Sequence, residues 1–237
     1  MIIRPAANHL HFITQSDHAR LSREVMEACP ALLANPRRSE VLHAIGEHDN
    51  GWAEPDAAPI VDPATGTPLD FVSAPPSVRQ GVWPRGVQRL AGSPWAAALV
   101  AQHAIAVYER YRADASWSAF FTEMAERRDE MVRASHERAE DLGGDYRFVR
   151  LGDLISLAFC TGWADELRFC EWTVHGTDEG VRIDPDPFDG AVIPLAIEAR
   201  ELPRQRYASD SELRAHLAQA RAVVLQGTVR GRDRLRS

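Results

Sequence analysis

Hydrophobic positions change their spacing about two-thirds of the way along the chain. Up to residue 162, apolar side chains recur at intervals of about three and four residues, which is typical of helices packed on one face. These segments predict helices at residues 17–28, 38–49, 77–91, 94–111, 117–141 and 150–162. Shorter β-leaning runs predict strands at 2–4 and 9–14, and then at 166–175, 181–184, 191–199 and 222–229, with one helix at 209–219.

This order of elements predicts an α+β fold that is mainly helical with a small β segment. Residues 1–162 are expected to form a helical core together with the N-terminal strands, and residues 163–237 a β-rich segment packed on it, within a single domain 1–237. We expect the N-terminal and C-terminal strands to close one sheet against the helices.

One long segment fits neither spacing. Residues 51–76 contain Pro55, Pro59, Pro63, Pro68, Pro75 and Pro76, so the sequence predicts neither regular helix nor central strand there. Structureless segments of this length are uncommon in compact domains and are often lids or binding loops. The alternative is a structural strap packed by its own apolar side chains, and the sequence leaves both open.

Composition narrows the chemistry that is open to the chain. All 27 basic residues are arginine, and there is no lysine. A Walker-type phosphate loop, a Schiff base on a protein lysine and a kinase strand lysine are therefore excluded. An anionic substrate must be held by arginine, by backbone N–H groups or by a metal.

Charge and cysteine content bear on partners and location. The net charge of -7 argues against a general nucleic-acid binder, and the C-terminal arginines, including Arg234 and Arg236, are interpreted as a solvated tail. Cys29, Cys160 and Cys170 show no Cys-x-x-Cys spacing, which favours buried thiols in a reducing compartment. With no signal core and no apolar stretch long enough to cross a membrane, we expect a cytoplasmic protein.

Two polar residues stand in predicted apolar helices. His103 lies within residues 94–111 and Asp153 within residues 150–162. A buried imidazole or carboxylate needs a hydrogen-bonding partner or a metal. Singly, His103 is better explained as a hydrogen-bonded core histidine than as a ligand, and Asp153 is explained equally well as a carboxylate near a helix N-terminus. Helical cores that collect both residue types, however, build metal sites, and mixed nitrogen and oxygen ligands suit Fe, Mn, Co, Ni or Zn.

The order of these residues resembles the HD-domain superfamily of α-helical metalloenzymes, whose signature is a His, a later His-Asp pair and a final Asp. In this sequence the signature falls on His18, on His48-Asp49 and on Asp153. The resemblance implies an HD-domain-like helical bundle in which these four residues bind a divalent transition metal. Variants with a second ion add histidines before the final Asp, a role that suits His103 better than His136.

Neighbouring residues are assigned supporting roles. The candidates for proton transfer are Glu47 and His103, and the candidates for substrate binding are Arg85, Arg147 and Trp52. His43 stands five residues before His48 and therefore points to a different side of the helix. We expect His43 and Asp17 to support the ligands or the core rather than to bind the metal.

A second resemblance covers nearly the whole chain. Residues 15–22, 47–52, 62–68 and 153–157 resemble an uncharacterised bacterial family, the domain-of-unknown-function family 3891. Because that family has no established activity, the resemblance implies a fold and the positions of a site rather than a reaction.

Three functions follow from these observations. The first is a metal-dependent hydrolase of HD type, in which arginines hold a small phosphoester or similar anionic substrate. The second is an HD-type di-iron oxygenase, which needs a second ion and hence an extra ligand such as His103. The third is a non-catalytic binding module that is stabilised by metal. In each case we expect no nucleic acid and no membrane as partners, with a homodimer left open.

Overall fold

The computed structural model of the protein describes residues 1–232, and the strands within that range form one mixed sheet. The strands are β1 (Ile2–Pro5), β2 (His9–Ile13), β3 (Leu167–Phe169), β4 (Trp172–Thr177), β5 (Gly180–Asp184), β6 (Ile193–Pro203) and β7 (Arg221–Gly231). Their order is β1-β2-β6-β7-β5-β4-β3, with β5 and β7 parallel and every other pair antiparallel. Arg234 and Arg236 of the predicted tail lie outside the described residues.

Over the same residues, helices fill most of the chain between β2 and β3. They are α1 (Gln15–Met26), α2 (Pro30–Leu33), α3 (Arg38–Glu47), α4 (Ala53–Ala57), α5 (Pro76–Arg89), α6 (Pro94–Val107), α7 (Ser118–Ser135) and α8 (Leu142–Thr161), and α9 (Asp210–Gln219) follows β6. Helix α1 packs on α3 and α8, and α6 packs on α3, α5, α7 and α8. The predicted α+β class is therefore confirmed.

The N-terminal hairpin joins the C-terminal strands, as the sequence predicts. Strand β2 pairs with β6, so that Leu10 lies opposite Leu202 and Phe12 opposite Arg200. One contiguous hydrophobic core includes Ile2 and Ile13 from the hairpin, the helices, and strand residues such as Val229. The sheet thus covers one side of the helices from both ends of the sequence.

The central helix α6 is apolar on every side and lies inside the molecule. Pro94 occupies its first turn, where no backbone N–H is needed for an intrahelical bond. The residues from Trp95 to Ala101 are all buried. A polar side chain on this helix, such as His103, therefore cannot reach bulk water and depends on neighbouring helices for partners.

The boundary between α7 and α8 differs from the one that the sequence predicts. The helix predicted at 150–162 begins earlier, at Leu142, with Gly143 and Gly144 in its first turn, and the helix predicted at 117–141 ends earlier, at Ser135. His136 takes the left-handed conformation there, with φ of 60°. Two glycines in a helix cost about 2 kcal/mol. Burial of Tyr146 and Val149 in the early turns of α8 offsets that cost.

The proline-rich segment is more structured at its start than the sequence predicts. A 3-10 turn at Asn50–Trp52 leads directly into α4, and Pro55 fits because it stands in the first turn of that helix. Further along, Val61 and Pro68 form an isolated β-bridge. A residue outside the segment also holds it in place, because the backbone N–H of Tyr207 donates to the Gly66 carbonyl at 2.8 Å.

The predicted strand 166–175 is two strands rather than one. Cys170, with φ of 50°, turns the chain between β3 and β4. Cys29 and Cys160 are buried free thiols as expected, whereas Cys170 is an exposed one. None of the described helices is both long and apolar enough to cross a membrane.

Asp145 is a buried carboxylate that ties three parts of the helical core together. It is 2% exposed and accepts hydrogen bonds from Asn35 Nδ2 at 2.6 Å, from Arg37 Nε at 2.6 Å and from the indole Nε1 of Trp95 at 2.8 Å. These contacts join α8 to the α2–α3 connection and to the start of α6. Asp145 therefore serves the fold.

We expect Asp145→Ala to lower the free energy of unfolding by about 3–5 kcal/mol, because it leaves the Arg37 guanidinium without its buried partner. The matched control is Asp141→Ala, which removes a second carboxylate from the same arginine at 3.1 Å but on the surface. Its expected cost is about 1 kcal/mol or less. Denaturant unfolding measures both, and equal costs would contradict the assignment.

Candidate metal centre

Four helical segments bring five ionisable side chains to one buried cluster. Helix α1 supplies His18, the end of α3 supplies His48 and Asp49, α6 supplies His103, and α8 supplies Asp153. Their exposed fractions are 1%, 1%, 7%, 2% and 5%. Groups this deeply buried lose almost all hydration, so their stability depends on one another and on whatever else binds there.

The ends of these side chains converge. His18 Nε2 lies 3.2 Å from His48 Nε2 and 3.1 Å from Asp153 Oδ1. His48 Nε2 is 3.5 Å from Asp49 Oδ2 and 3.5 Å from Asp153 Oδ1. His103 Nε2 approaches the other oxygen of Asp153, Oδ2, at 3.7 Å. Ligand atoms of two trios, His18 with His48 and Asp49, and His48 with His103 and Asp153, lie within 4.8 Å of one another.

Hydrogen bonds on the far side of each ring fix where the lone pairs point. His48 Nδ1 lies 2.7 Å from the Ile45 carbonyl, which can only accept, so this nitrogen carries a proton. His18 Nδ1 lies 2.8 Å from Ser156 Oγ, whose own proton is donated to the His18 carbonyl at 2.9 Å. When either ring is neutral, it therefore presents the lone pair of Nε2 to the centre of the cluster.

Two nitrogen lone pairs that face each other at 3.2 Å, beside two carboxylates, require a cation between them. Two nitrogens that bind one ion at about 2.1 Å lie about 3.0–3.4 Å apart, so the spacing suits a shared transition metal. Ligating histidines are commonly held through the other ring nitrogen by a carbonyl or hydroxyl, as here. The cluster could therefore hold a divalent metal ion, with two His/His/Asp trios as candidate ligand sets.

In the metal-free protein a proton takes the place of the ion. Burial lowers the pKa of His48, but the carboxylates of Asp49 and Asp153 and the Ile45 carbonyl outweigh burial and raise this pKa to about 9. Burial also raises the pKa of Asp153, but Arg150 and the two histidines hold that pKa well below its usual range. Burial raises the pKa of Asp49.

His103 stands at the edge of the cluster and stays neutral. Burial lowers its pKa well below the usual value, and its Nδ1 lies 3.3 Å from the hydroxyl of Tyr146. Beside it, Arg150 NH1 donates to Asp153 Oδ2 at 2.5 Å. The two oxygens of Asp153 are thus divided: Oδ1 faces His18 and His48, and Oδ2 is held by a guanidinium.

The cluster forms the floor of a cavity of about 280 Å³. His18, Asp49, His103 and Asp153 reach its surface, together with polar side chains from Gln15, Arg79, Arg110 and Arg150. Much of the remaining wall is apolar or aromatic, and it includes Trp52, Phe71, Trp83, Leu154, Leu157 and Trp163. A ligand in the cavity would therefore touch the cluster at one end and apolar side chains along its sides.

Of the three residues predicted to bind substrate, Trp52 lines the cavity, whereas Arg85 and Arg147 do not. Arg85 donates to the Gly51 carbonyl at 3.0 Å and pairs with Glu54 at 3.2 Å. Arg147 pairs with Glu171, and its guanidinium carbon lies 4.9 Å from the centre of the Trp172 ring. Both charges are engaged by neighbours that the sequence could not place.

Glu47, a predicted proton-transfer residue, also lies elsewhere. It lines a surface cleft with Arg20, Arg23 and Asn50 instead of the cavity. Consecutive helical residues point about 100° apart, so when His48 faces the interior its neighbour faces away.

The two predicted supporting residues have other partners. Asp17 accepts a hydrogen bond from Thr14 Oγ1 at 2.7 Å and pairs with Arg20 at 2.9 Å, which stabilises the start of α1. Thr14 is the N-cap of that helix. His43 is half-buried and supplies no atom to the two ligand trios found among the described residues.

The groups that hold the cluster were missed by sequence reasoning. Ser156 and Arg150 stand three residues after and three before Asp153, so they share its side of α8. That spacing was a usable signal. Tyr146 and Arg79 gave no such signal, because their contacts with the site depend on how separate helices pack.

These features define the class of protein: it has an α+β fold with a buried histidine–aspartate cluster below a cavity. The chain belongs to the DUF3891 family, described as a protein of unknown function, whose family model matches residues 1–204. All five cluster residues lie within the match. No curated protein matches the chain, and no solved structure does. These comparisons give no support to a relation with the HD-domain superfamily.

We expect Ser156→Ala to weaken metal binding roughly 10–100-fold, because it removes the group that fixes the His18 ring. The matched control is Ser22→Ala, since Ser22 Oγ also donates to the His18 carbonyl, at 3.1 Å, but does not touch the ring. Titration with Zn²⁺ against a chromogenic chelator measures both affinities. Equal losses in the two variants would show that ring orientation is not what Ser156 controls.

Metal binding should also release a proton, because a pKa of about 9 keeps His48 protonated at neutral pH in the metal-free protein. The apparent affinity for Zn²⁺ should therefore rise with pH, by up to about tenfold per unit, and level off above the pKa of His48. Calorimetry in buffers of different ionisation enthalpy counts the protons released. An affinity that is constant between about pH 7 and about pH 8.5 would contradict this prediction.

Proposed function

We propose that the protein is a metal-dependent hydrolase, of HD type in its ligand set, that acts on a small phosphoester or similar anionic molecule. The observation that carries the proposal is that a cluster with two His/His/Asp trios borders one cavity, together with arginines that have no carboxylate partner among residues 1–232. The ion would be one of Fe, Mn, Co, Ni or Zn, since these accept mixed nitrogen and oxygen ligands. When bound, such an ion supplies Lewis acidity and an activated water near neutral pH.

Arg79 is the residue best placed to receive the anion. Its NH1 donates to the Tyr111 hydroxyl at 3.0 Å, and its guanidinium carbon lies 5.3 Å from the Tyr111 ring centre and 5.5 Å from that of Trp117. Within the described residues it has no carboxylate partner, and its Nε is buried without an acceptor. Arg110 joins it on the cavity wall, likewise without an acidic partner in that range. A guanidinium held in this way by aromatic rings keeps its charge for a ligand.

His103 is assigned the proton transfer. It is neutral, it lines the cavity, and its Nε2 faces the cluster. That nitrogen can accept a proton from the attacking water and pass it to the oxygen that leaves when the ester bond breaks. The hydroxyl of Tyr146 at Nδ1 orients the ring for this role.

The position of Arg150 favours one ion over two. A second ion would need Asp153 Oδ2, and the Arg150 guanidinium already binds that oxygen at 2.5 Å. Both ligand trios among the described residues also share His48, whose single free nitrogen binds one ion. These contacts weigh against a di-iron oxygenase. The non-catalytic module is separated from the hydrolase by experiment.

The test measures metal content by elemental analysis and phosphate release from a panel of phosphomonoesters. The wild-type protein should contain about one ion per chain and release phosphate. The His48→Ala/Asp49→Ala variant should lose both. Arg79→Gln should keep its metal and raise KM about tenfold or more, since a charge-assisted hydrogen bond is worth about 1.5–3 kcal/mol. The control Arg85→Gln, outside the cavity, should leave KM unchanged.

Two results would overturn the hydrolase. Metal that binds and stabilises the fold with no phosphate release from any ester would identify a metal-stabilised binding module. Two irons per chain with absorption in the visible region would identify an oxygenase.

A further inference from the structure

The cavity has a second part that the metal centre does not use. Beyond the cluster and the arginines, it is walled by side chains from four places: Trp83 on α5, Leu154 and Leu157 on α8, and Phe71 and Trp163 from flanking loops. Phe71 and Trp163 stack on each other, with ring centres 6.1 Å apart and planes 26° apart. This part of the wall offers flat apolar surface and few hydrogen-bonding groups.

Besides Arg79 Nε, two buried polar groups on the cavity wall have no hydrogen-bonding partner among the described residues, Gln15 Oε1 and Trp83 Nε1. Gln15 is 2% exposed and lines the cavity, and its Oε1 is buried with no hydrogen bond. Its backbone N–H is already donated to Asp56 Oδ2 at 2.6 Å, so the residue is fixed at the start of α1. A buried carboxamide oxygen left unpaired costs about 1–3 kcal/mol, which a ligand that donates a hydrogen bond would recover.

The size of the cavity limits what fits. Its volume of about 280 Å³ lies at the small end of the range of about 300–1,000 Å³ that is typical of ligand pockets, which favours a small ligand. A polyhydroxylated sugar would also leave most of its hydroxyl groups against apolar side chains, at about 1–3 kcal/mol for each one unpaired.

Resting on the proposed function, we propose that the substrate is a phosphate monoester of a small aromatic alcohol, whose ring carries a hydrogen-bond donor for Gln15. The phosphate meets Arg79 at the metal centre and the ring lies between the aromatic and leucine side chains. Hydrolysis breaks the bond between phosphorus and the aryl oxygen, forms one between phosphorus and the oxygen of water, and places the proton from water on the leaving phenoxide.

Binding is tested with phosphonates, which cannot be hydrolysed. Phenylphosphonate should bind the metal-loaded protein at least about tenfold more tightly than methylphosphonate, because only the former buries a ring. Calorimetry gives the affinities, and quenching of tryptophan fluorescence reports contact with the wall. Leu157→Gln should reduce the preference for phenylphosphonate to threefold or less while the metal content stays unchanged. The matched control is Leu33→Gln at a surface position that is 55% exposed, which should change neither.

The donor is tested separately. Wild-type protein should bind 4-hydroxyphenylphosphonate more tightly than phenylphosphonate, by roughly fivefold or more, and Gln15→Met should abolish that difference. Methionine matches the length of glutamine, so the apolar contacts are kept. An equal affinity of the wild-type protein for the two probes would overturn the assignment of the donor.

Failure of the substrate class and failure of the hydrolase give different results. Equal binding of phenylphosphonate and methylphosphonate, with phosphate released from sugar phosphates, would overturn the aromatic substrate and keep the hydrolase. Tight binding of phenylphosphonate without hydrolysis of phenyl phosphate would keep the ligand class and overturn the hydrolase. If neither phosphonate binds the metal-loaded protein, the proposed substrate is wrong.

Discussion

The approach of His18 and His48, nitrogen to nitrogen at 3.2 Å in the middle of the helical core, is the contact that governs the rest of the site. Since Ser156 and the Ile45 carbonyl hold the other ring nitrogens as donors, neither ring can turn its lone pair away. Without a cation the two lone pairs and the neighbouring carboxylates would repel one another in a medium of low dielectric constant. The helical core therefore favours a positive charge at this point. A proton on His48 supplies it in the metal-free protein, and a divalent ion would supply more of it.

Arginine side chains provide the other positive charges at the site. Arg150 neutralises one oxygen of Asp153 and leaves the other for the histidines. Arg79 instead lies against aromatic rings, where a planar guanidinium stacks well and a lysine ammonium would not. The lack of lysine excludes several reactions, and in the structure arginine side chains take these two charged roles. Arg150 holds Asp153 at the proposed ion site, and Arg79 lines the cavity with its charge available to a ligand.

How far the sequence predicts this site depends on whether a contact lies within one helix or between several. The grouping of His18, His48, Asp49 and Asp153 is implied by the resemblance of their order to the HD-domain signature. Asp145 lies outside the predicted helix 150–162, yet the structure places it on α8 together with Asp153. Asp145 binds Asn35, Arg37 and Trp95, whereas Asp153 faces the cluster.

The errors in the prediction have the same origin. Arg147 and Arg150 lie on nearly the same side of α8, and the neighbourhood of β4 decides that Arg147 pairs with Glu171. Glu47 fails for a simpler reason, because the helical rotation that buries His48 turns its neighbour outward. The β-rich segment was predicted as strands, but the pairing of β2 with β6 and the parallel pairing of β5 with β7 are long-range facts. Hydrophobic periodicity predicts the helices and strands, but it does not determine which of them pack or pair with one another.

In the proposed hydrolase, the first turn of α1 links ligand binding to catalysis. Gln15 and His18 stand three residues apart, so they share one side of the helix, and both reach the same cavity. His18 belongs to the cluster, whereas the carboxamide of Gln15 faces apolar surroundings. A ligand that satisfies Gln15 is thereby held at a set distance from the cluster, because the helix is rigid and its start is fixed by Thr14 and Asp56. Orientation of this kind lowers a barrier only when the reacting group is placed as well as bound. The apolar wall adds to that effect, since it excludes the water that would weaken every charge interaction at the floor of the cavity.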